Sequence, residues 1–129
     1  LKNTTAKLGL NKNITFVGHR ADVKEVISIS SIVFSLAKEP EAFGRISLES
    51  LSMGIPVIAY SHGGVKEQML EILPEGLISV GNINLVCSLA NKWLKKGPRA
   101  NKNLSFTLKS MLSNTVKVYE QALIEKWQK

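Results

Sequence analysis

Apolar residues in this chain fall into short runs that alternate with segments of helical periodicity. Four apolar runs predict buried strands, at residues 14–18, 31–37, 56–60 and 77–80. Apolar positions at helical spacing predict helices at residues 21–29, 44–53, 65–72 and 84–96, and a long final helix at about 104–128. Because strand and helix alternate four times, the pattern predicts an α/β fold, a parallel sheet with helices on both faces.

Turn residues define the boundaries of these elements. Gly54 follows the helix at residues 44–53 in the position after its C-cap, and Pro56 begins the next strand. Gly97 and Pro98 break the chain before the final helix. Sheets of this kind bind ligands at the carboxyl ends of their strands, so the candidate loops are residues 18–20, 38–43, 61–64 and 81–82.

The loop and helix at residues 39–49 are the most informative segment. The loop places Glu41 at the sheet edge, and a helix begins near Gly44. The first N–H groups of a helix have no helical partner, so they predict a phosphate site that a glycine lets an anion approach. Glu49 lies about 7 Å further along the axis. Its carboxylate would repel phosphate but can accept hydrogen bonds from a ribose diol, as Glu41 can from a sugar.

The eight-residue spacing of Glu41 and Glu49 means little by itself, because two glutamates can stand at this spacing by chance. The context of Glu49 carries the prediction, because its helix reads as largely buried and no obvious Arg or Lys stands one turn away. Buried carboxylates need partners, so we expect an external hydroxyl ligand.

Composition favours one domain with a core of its own. The 129 residues are 44% apolar and 21% charged, without an apolar run of about 18 residues and without a visible signal peptide. The chain begins at Leu1, so we expect the true N-terminus to be missing. Cys87, in an apolar helical stretch, rules out an internal disulfide and predicts a small buried thiol in a reducing, cytoplasmic compartment.

The net charge of +7 is concentrated in the C-terminal part. Residues 1–90 hold eight basic and eight acidic side chains, whereas residues 91–129 hold nine basic ones against Glu120 and Glu125. A basic tail can rest on anionic lipid or nucleic acid, and a solvated helical face is the alternative. The lack of interleaved aromatics argues against nucleic acid. Without an Asp-x-Asp pair or a His/Cys cluster, we predict no metal site.

One block of motifs is highly specific. It comprises Glu41-Ala42-Phe43-Gly44, Glu49, Gly54-Ile55-Pro56-Val57, the turn His62-Gly63-Gly64, and Glu67. This block resembles the family 4 (retaining, GT-B fold) glycosyltransferases, whose pattern is Glu-Gly-Phe-Gly, four residues, Glu-Ala, a Gly-x-Pro-Val stretch and a Gly-Gly turn. Ala42 and Ser50 depart from the usual Gly and Ala, but both are small. The resemblance covers roughly residues 8–129, including residues 116–119 of the closing helix, and it implies a partial C-terminal nucleotide-sugar-binding domain, Rossmann-like, at residues 1–129.

The resemblance assigns roles at the donor site. Glu41 resembles the residue that contacts the donor sugar's hydroxyls near the reacting carbon, which makes it the candidate catalytic residue. Glu49 resembles the ribose ligand. The residues whose backbone resembles the cradle for sugar and diphosphate are Phe43, Gly44, Arg45 and Ile46.

The resemblance also points to a nucleobase contact. Gly18, His19 and Arg20 resemble the segment that flanks the base, on which Arg20 can stack. Exposure to solvent is the alternative for His19, for His62 at another strand end, and for Arg45, which otherwise helps to balance the phosphate charge.

The resemblance further implies that parts are missing. Such enzymes have two Rossmann-like domains with the active site between them, and this sequence lacks the acceptor-binding N-terminal domain. It also lacks the first two strands of the second domain and the Arg/Lys pair that neutralises the pyrophosphate. In the implied strand order, 3-2-1-4-5-6, residues 14–18 lose their neighbour. They must pair with residues 31–37, pair with another molecule or lie exposed, so we predict a rearranged contact or self-association through this edge.

The implied reaction transfers a sugar from a nucleotide-diphosphate sugar, with retention and without a cofactor, to a glycan or lipid-linked acceptor in polysaccharide biosynthesis. The helix N-terminus would stabilise charge on the leaving diphosphate. Glu41 and Glu49 flank a diphosphate, so they are not a nucleophile and acid pair. A nucleotide-sugar-binding module without turnover is the alternative, and an epimerase is disfavoured. We expect weak donor binding, no transfer by this chain alone, and a cytoplasmic location, peripheral at the inner face of a membrane.

Overall fold

Six α-helices and three strands make up the part of the chain that the structure describes. This structure is a computed structural model, and it describes residues 1–100 and 106–127. In chain order the elements are α1 (Lys2–Lys7), α2 (Val23–Ser28), β1 (Val33–Ser35), α3 (Arg45–Ser52), β2 (Val57–Tyr60), α4 (Gly63–Ile72), β3 (Leu77–Ile78), α5 (Ile83–Lys96) and α6 (Leu108–Trp127). A 3-10 turn, Pro74–Gly76, joins α4 to β3.

The sheet is parallel, with β2 between β1 and β3. Val33 lies opposite Val57, and Tyr60 lies opposite Ile78. All four residues of β2 are buried. Because successive strand residues point to opposite faces, their burial means that both faces of the central strand are covered. The predicted α/β fold with a parallel sheet is therefore confirmed.

Helices α3 and α4 connect the three strands and pack against the sheet and against each other. Leu51 of α3 and Met69 of α4 are fully buried, and the core continues through Ile58 of β2 to Trp93 of α5. Gly54 adopts φ of +80°, the left-handed conformation expected after the C-terminus of α3. These contacts fix the positions of the loops that leave β1 and β2.

The predicted strand at residues 14–18 is wrong. No described residues pair with this segment in a sheet, and Ile14, Phe16 and Val17 are 41%, 43% and 54% exposed. A strand needs a neighbour for its N–H and C=O groups, and an apolar run alone cannot supply one. The sheet among the described residues therefore has three strands rather than four. Self-association through this segment stays a prediction.

One further expectation is corrected, the burial of Cys87. Cys87 is exposed, because α5 buries Val86 and Trp93 while Cys87 points about 100° away from Val86. Helix α1 was not predicted. The final helix begins at Leu108, and its predicted start and end, residues 104 and 128, lie outside the described residues.

No helix in the described part of the chain is long and apolar enough to cross a membrane.

Candidate functional site

The loops that follow β1 and β2 meet at the carboxyl edge of the sheet. The loop after β1, residues 36–44, is called the edge loop below. The peptide N–H of Gly64 donates to the Glu41 carbonyl at 2.9 Å. The His62 ring Nε2 lies 3.0 Å from the Ala37 carbonyl oxygen. Two of the four loops that the sequence singled out are thus in direct contact.

The edge loop ends at Gly44, the N-cap of α3, which has φ of +74°. A Cβ atom at Gly44 would lie 2.3 Å from Val65 Cγ2, so both its conformation and its packing require glycine. The first N–H groups of α3 have no partner within the helix, which is the property from which the sequence predicts a phosphate site, and that site stays a prediction. Ser47, in the same turn, is 1% exposed, and its hydroxyl meets no hydrogen-bond partner among the described residues.

The side chain of Glu49 is paired, contrary to the expectation from the sequence. Arg45 Nη2 lies 3.5 Å from Glu49 Oε1, one helical turn away, and these side chains are 83% and 32% exposed. Arg45 and Glu49 stand four positions apart and therefore share one side of the helix, and because the helix buries only one face, Glu49 is left partly exposed. The pair is weak at this distance and exposure, so both side chains remain available to a ligand.

A groove of about 580 Å³ separates the start of α2 from the first turns of α3. It is called the α2–α3 groove, and its volume is typical of small-molecule sites. The residues that line it are Ala21, Val23, Lys24, Glu25, Arg45, Ile46 and Glu49. Three of the candidate donor-binding residues, Arg45, Ile46 and Glu49, therefore share one surface.

The other candidate residues lie elsewhere. Glu41 is exposed and, with Ser35 and His62, borders a cavity of only about 10 Å³. Phe43 lines a separate cavity of about 620 Å³ against α6. Within the described part of the chain, no three His, Cys, Asp or Glu side chains come together as metal ligands. The absence of a metal requirement stays a prediction.

Gly18, His19 and Arg20 precede α2 but do not line the α2–α3 groove. The Arg20 guanidinium binds the carboxylate of Asp22, with Nε 2.7 Å from Oδ1. The hydrogen bond from Arg20 lowers the pKa of Asp22 below its ordinary value of 3.8, and this effect outweighs burial, which acts in the opposite direction. Stacking of Arg20 on a base stays a prediction.

The Arg20–Asp22 pair gives a testable pH dependence. Because the pKa of Asp22 is lower in the folded state, the pair stabilises the fold above pH 3.8 and loses this effect as the pH falls through the lowered pKa. We expect Arg20→Ala to raise the pKa of Asp22 towards 3.8. An NMR titration of the side-chain carboxyl carbon measures this change, and an equal pKa in both proteins would contradict it.

One residue of the site could not be identified by motif. Gln68 of α4 is 1% exposed, and its Nε2 donates to the Phe43 carbonyl in the edge loop. The sequence does mark Gln68 in another way. It is a polar residue on a helical face that is otherwise formed by the apolar residues Val65, Met69 and Ile72.

Comparison with known proteins gives two findings. Residues 1–107 match the family model described as glycosyl transferases group 1, and the match ends just before α6. The chain is also similar to N-acetyl-alpha-D-glucosaminyl L-malate synthase of Bacillus anthracis, with 30% identity over 88 residues. That alignment covers 68% of this chain and 23% of the relative, so the chain spans about a quarter of the relative's length.

Proposed function

Because the chain belongs to the group 1 glycosyltransferases, we propose that it holds the donor site of a glycosyl transfer reaction. The donor we propose is a nucleotide-diphosphate sugar, and the parent enzyme is a retaining transferase of family 4 with a GT-B fold. The proposed acceptor is a glycan or a lipid-linked glycan. The relative's name describes a product that carries an N-acetylglucosaminyl group, which supports sugar transfer.

The observation that carries this proposal is the α2–α3 groove beside the N-terminus of α3. A diphosphate at the first turn of α3 would meet free N–H groups and the positive end of the helix dipole. Glu49, one turn further on, borders the groove and is 32% exposed. Its carboxylate can accept two hydrogen bonds from a ribose diol, so phosphate and ribose both find suitable partners along a single helix.

The edge loop supplies the sugar side of the proposed site. Glu41 lies three residues before Gly44 and is exposed, so its carboxylate can accept hydrogen bonds from sugar hydroxyls. When the bond between the sugar and the diphosphate breaks, negative charge grows on the departing phosphate oxygen. The N-terminus of α3 stabilises that charge where it develops, and Arg45 adds a positive side chain next to it.

Calorimetry tests the donor proposal. UDP-N-acetylglucosamine, UDP-glucose and GDP-mannose are titrated into the 129-residue chain and into its Glu49→Ala variant. We expect the variant to bind the preferred donor about 10- to 100-fold more weakly, because a hydrogen bond to a charged group contributes about 1.5–3 kcal/mol.

A matched control separates this effect from a general loss of charge. Glu75 is exposed and precedes β3, at the opposite edge of the sheet from the groove. Glu75→Ala is expected to bind like wild type. Equal binding by wild type and Glu49→Ala would refute the ribose assignment, and no binding of any of the three donors would refute the donor site.

A second candidate is donor binding without turnover by these 129 residues. The observation that favours it is the extent of the match, 23% of the relative's length. We propose weak donor binding and no transfer by this chain alone, with the acceptor bound by a further domain. We also propose a cytoplasmic location at the inner face of a membrane, since a basic C-terminal part suits an anionic lipid surface and lipid-linked acceptors.

A further inference from the structure

Three carbonyl groups of the edge loop accept hydrogen bonds from a single neighbouring segment. The His62 ring lies against the Ala37 carbonyl at 3.0 Å, the Gly64 N–H donates to Glu41 at 2.9 Å, and the Gln68 amide donates to Phe43. We propose that His62, Gly64 and Gln68 are positioning residues that hold the edge loop in its donor-binding conformation. This inference rests on the proposed function, because the loop carries Glu41 and leads into α3.

The three bonds are spread over the whole loop. Ala37 stands two residues after β1, Glu41 is the candidate sugar contact, and Phe43 precedes the N-cap Gly44. A loop held only at its ends would leave Glu41 free to move. Because the middle bond fixes the Glu41 peptide itself, the side chain starts from a defined backbone position, which lowers the entropic cost of binding a sugar.

Close packing supports the same role. A Cβ atom on Gly63 would lie 2.4 Å from the Glu41 carbonyl oxygen, and one on Gly64 would lie 2.3 Å from that of Ala42. The backbone of α4 therefore touches the backbone of the edge loop, without room for a side chain between them. This close approach of the two backbones lets α4, which is anchored in the core by Met69, hold the loop in place.

The burial of Gln68 is difficult to explain by packing alone. It is 1% exposed beside Val65 and Met69, where leucine would fill the space without a polar group to satisfy. No donor in the described part of the chain reaches its Oε1, so the side chain retains an unmet hydrogen-bonding requirement. A buried amide is unfavourable unless it is hydrogen-bonded, and among the residues that the structure describes the Gln68 amide bonds to the edge loop. We therefore assign its role to the loop.

His62 makes its bond across a separation of 25 residues. Its own backbone N–H donates to Tyr60 at 2.9 Å, which fixes the start of the turn from which the ring reaches Ala37. The bond requires a proton on Nε2, and both the neutral Nε2–H tautomer and the imidazolium ion provide one. The bond therefore does not depend on the charge of His62, and a glutamine amide can replace it.

Amide hydrogen exchange on the unliganded 129-residue chain tests the inference without any donor. We expect Gln68→Leu and His62→Leu to speed exchange of the Gly64 N–H, which donates to the Glu41 carbonyl, by at least about 10-fold while exchange in the strands is unchanged. His62→Gln, which retains a donor at a similar position, is expected to exchange like wild type. Lys66→Ala is the matched control, because Lys66 is an exposed residue of the same helix.

Donor titration provides the second measurement. Gln68→Leu is expected to bind UDP-N-acetylglucosamine about 10-fold more weakly, whereas Lys66→Ala retains wild-type affinity. Gln68→Glu is expected to bind weakly at pH 8 and to recover towards pH 5, because a buried carboxyl that becomes protonated can donate to Phe43 again. Urea unfolding of Gln68→Glu at both pH values distinguishes this recovery from the general gain of stability that protonation of a buried carboxylate produces.

The outcomes separate this inference from the proposed function. Unchanged exchange of the Gly64 N–H in both leucine variants would overturn the positioning role, whatever the chain binds. If wild type binds no nucleotide sugar, the proposed function fails, and the exchange result alone decides the positioning role. If Gln68→Leu does not fold, His62→Leu and His62→Gln carry the test.

Discussion

Trp93→Ala is expected to destabilise the domain by about 3–5 kcal/mol, the usual cost of removing a large buried aromatic side chain. Trp93 is 6% exposed and belongs to the same core as Met69. Gly76 fits tightly beside it, since a Cβ there would lie 3.1 Å from Trp93 Cη2 and 2.2 Å from the Val57 carbonyl oxygen. Alanine would leave a cavity where α5 meets the central strand. Because whole domains are stable by only about 5–15 kcal/mol, this loss is a large fraction of the total free energy of unfolding.

Urea unfolding followed by circular dichroism measures this effect without relying on the tryptophan that is removed. Trp93→Phe retains a ring and is expected to lose less stability than Trp93→Ala. Leu94→Ala is the matched control, because Leu94 is the next residue of α5 and is 65% exposed. We expect it to stay within about 0.5 kcal/mol of wild type. A Trp93→Ala variant within about 1 kcal/mol of wild type would show that α5 does not pack on the sheet as described.

Local signals in the sequence were sufficient for most of the fold. The predicted strand at residues 56–60 is β2, Val57–Tyr60, and the predicted helix at residues 44–53 is α3, Arg45–Ser52. Both boundaries depend on residues with fixed backbone preferences, the glycine after the helix and the proline before the strand. Such preferences act within a few residues, so a single sequence reveals them.

The pairing of strands and the buried face of a helix are harder to predict from the sequence. Residues 14–18 have the composition of a strand, but strand formation also depends on a neighbour that local sequence does not identify. Cys87 stands in an apolar stretch, but only the face of α5 that carries Val86 and Trp93 meets the sheet. In both cases the sequence identifies apolar residues correctly. It does not identify the neighbouring element against which those residues would be buried.

The candidate site shows the same division. The block of residues 41–49 could be placed at the sheet edge, because a loop after a parallel strand must lie there. The Arg45–Glu49 pair follows from the four-residue helical spacing, and it alters the environment of Glu49 from the unpaired one that the sequence analysis expects. The bond from Gln68 to Phe43 joins residues 25 positions apart, and only the fold brings them together. Short-range geometry was thus predictable, whereas the contacts that hold the edge loop were not.

Gly64→Ala is expected to weaken donor binding by at least about 10-fold, or about 1.4 kcal/mol. The added methyl group would lie 2.3 Å from the Ala42 carbonyl oxygen and 2.8 Å from Phe43 Cα, and both are backbone atoms that cannot rotate away. The edge loop must move, and the 2.9 Å bond from Gly64 to Glu41 must lengthen. We also expect a loss of stability of about 1–3 kcal/mol from overpacking. Calorimetric titration and urea unfolding measure the two effects separately.

Gly9→Ala distinguishes this contact from a general effect of replacing glycine. Gly9 has φ of +68° and no atom within 4 Å of an added Cβ, so alanine there strains the backbone without displacing a neighbour. We expect a loss of stability of about 1 kcal/mol and wild-type donor affinity. If both variants lost affinity equally, the effect would follow global stability and not loop position. If Gly64→Ala alone lost affinity, the contact between α4 and the edge loop would be part of the donor site, because the two glycines differ in what surrounds them.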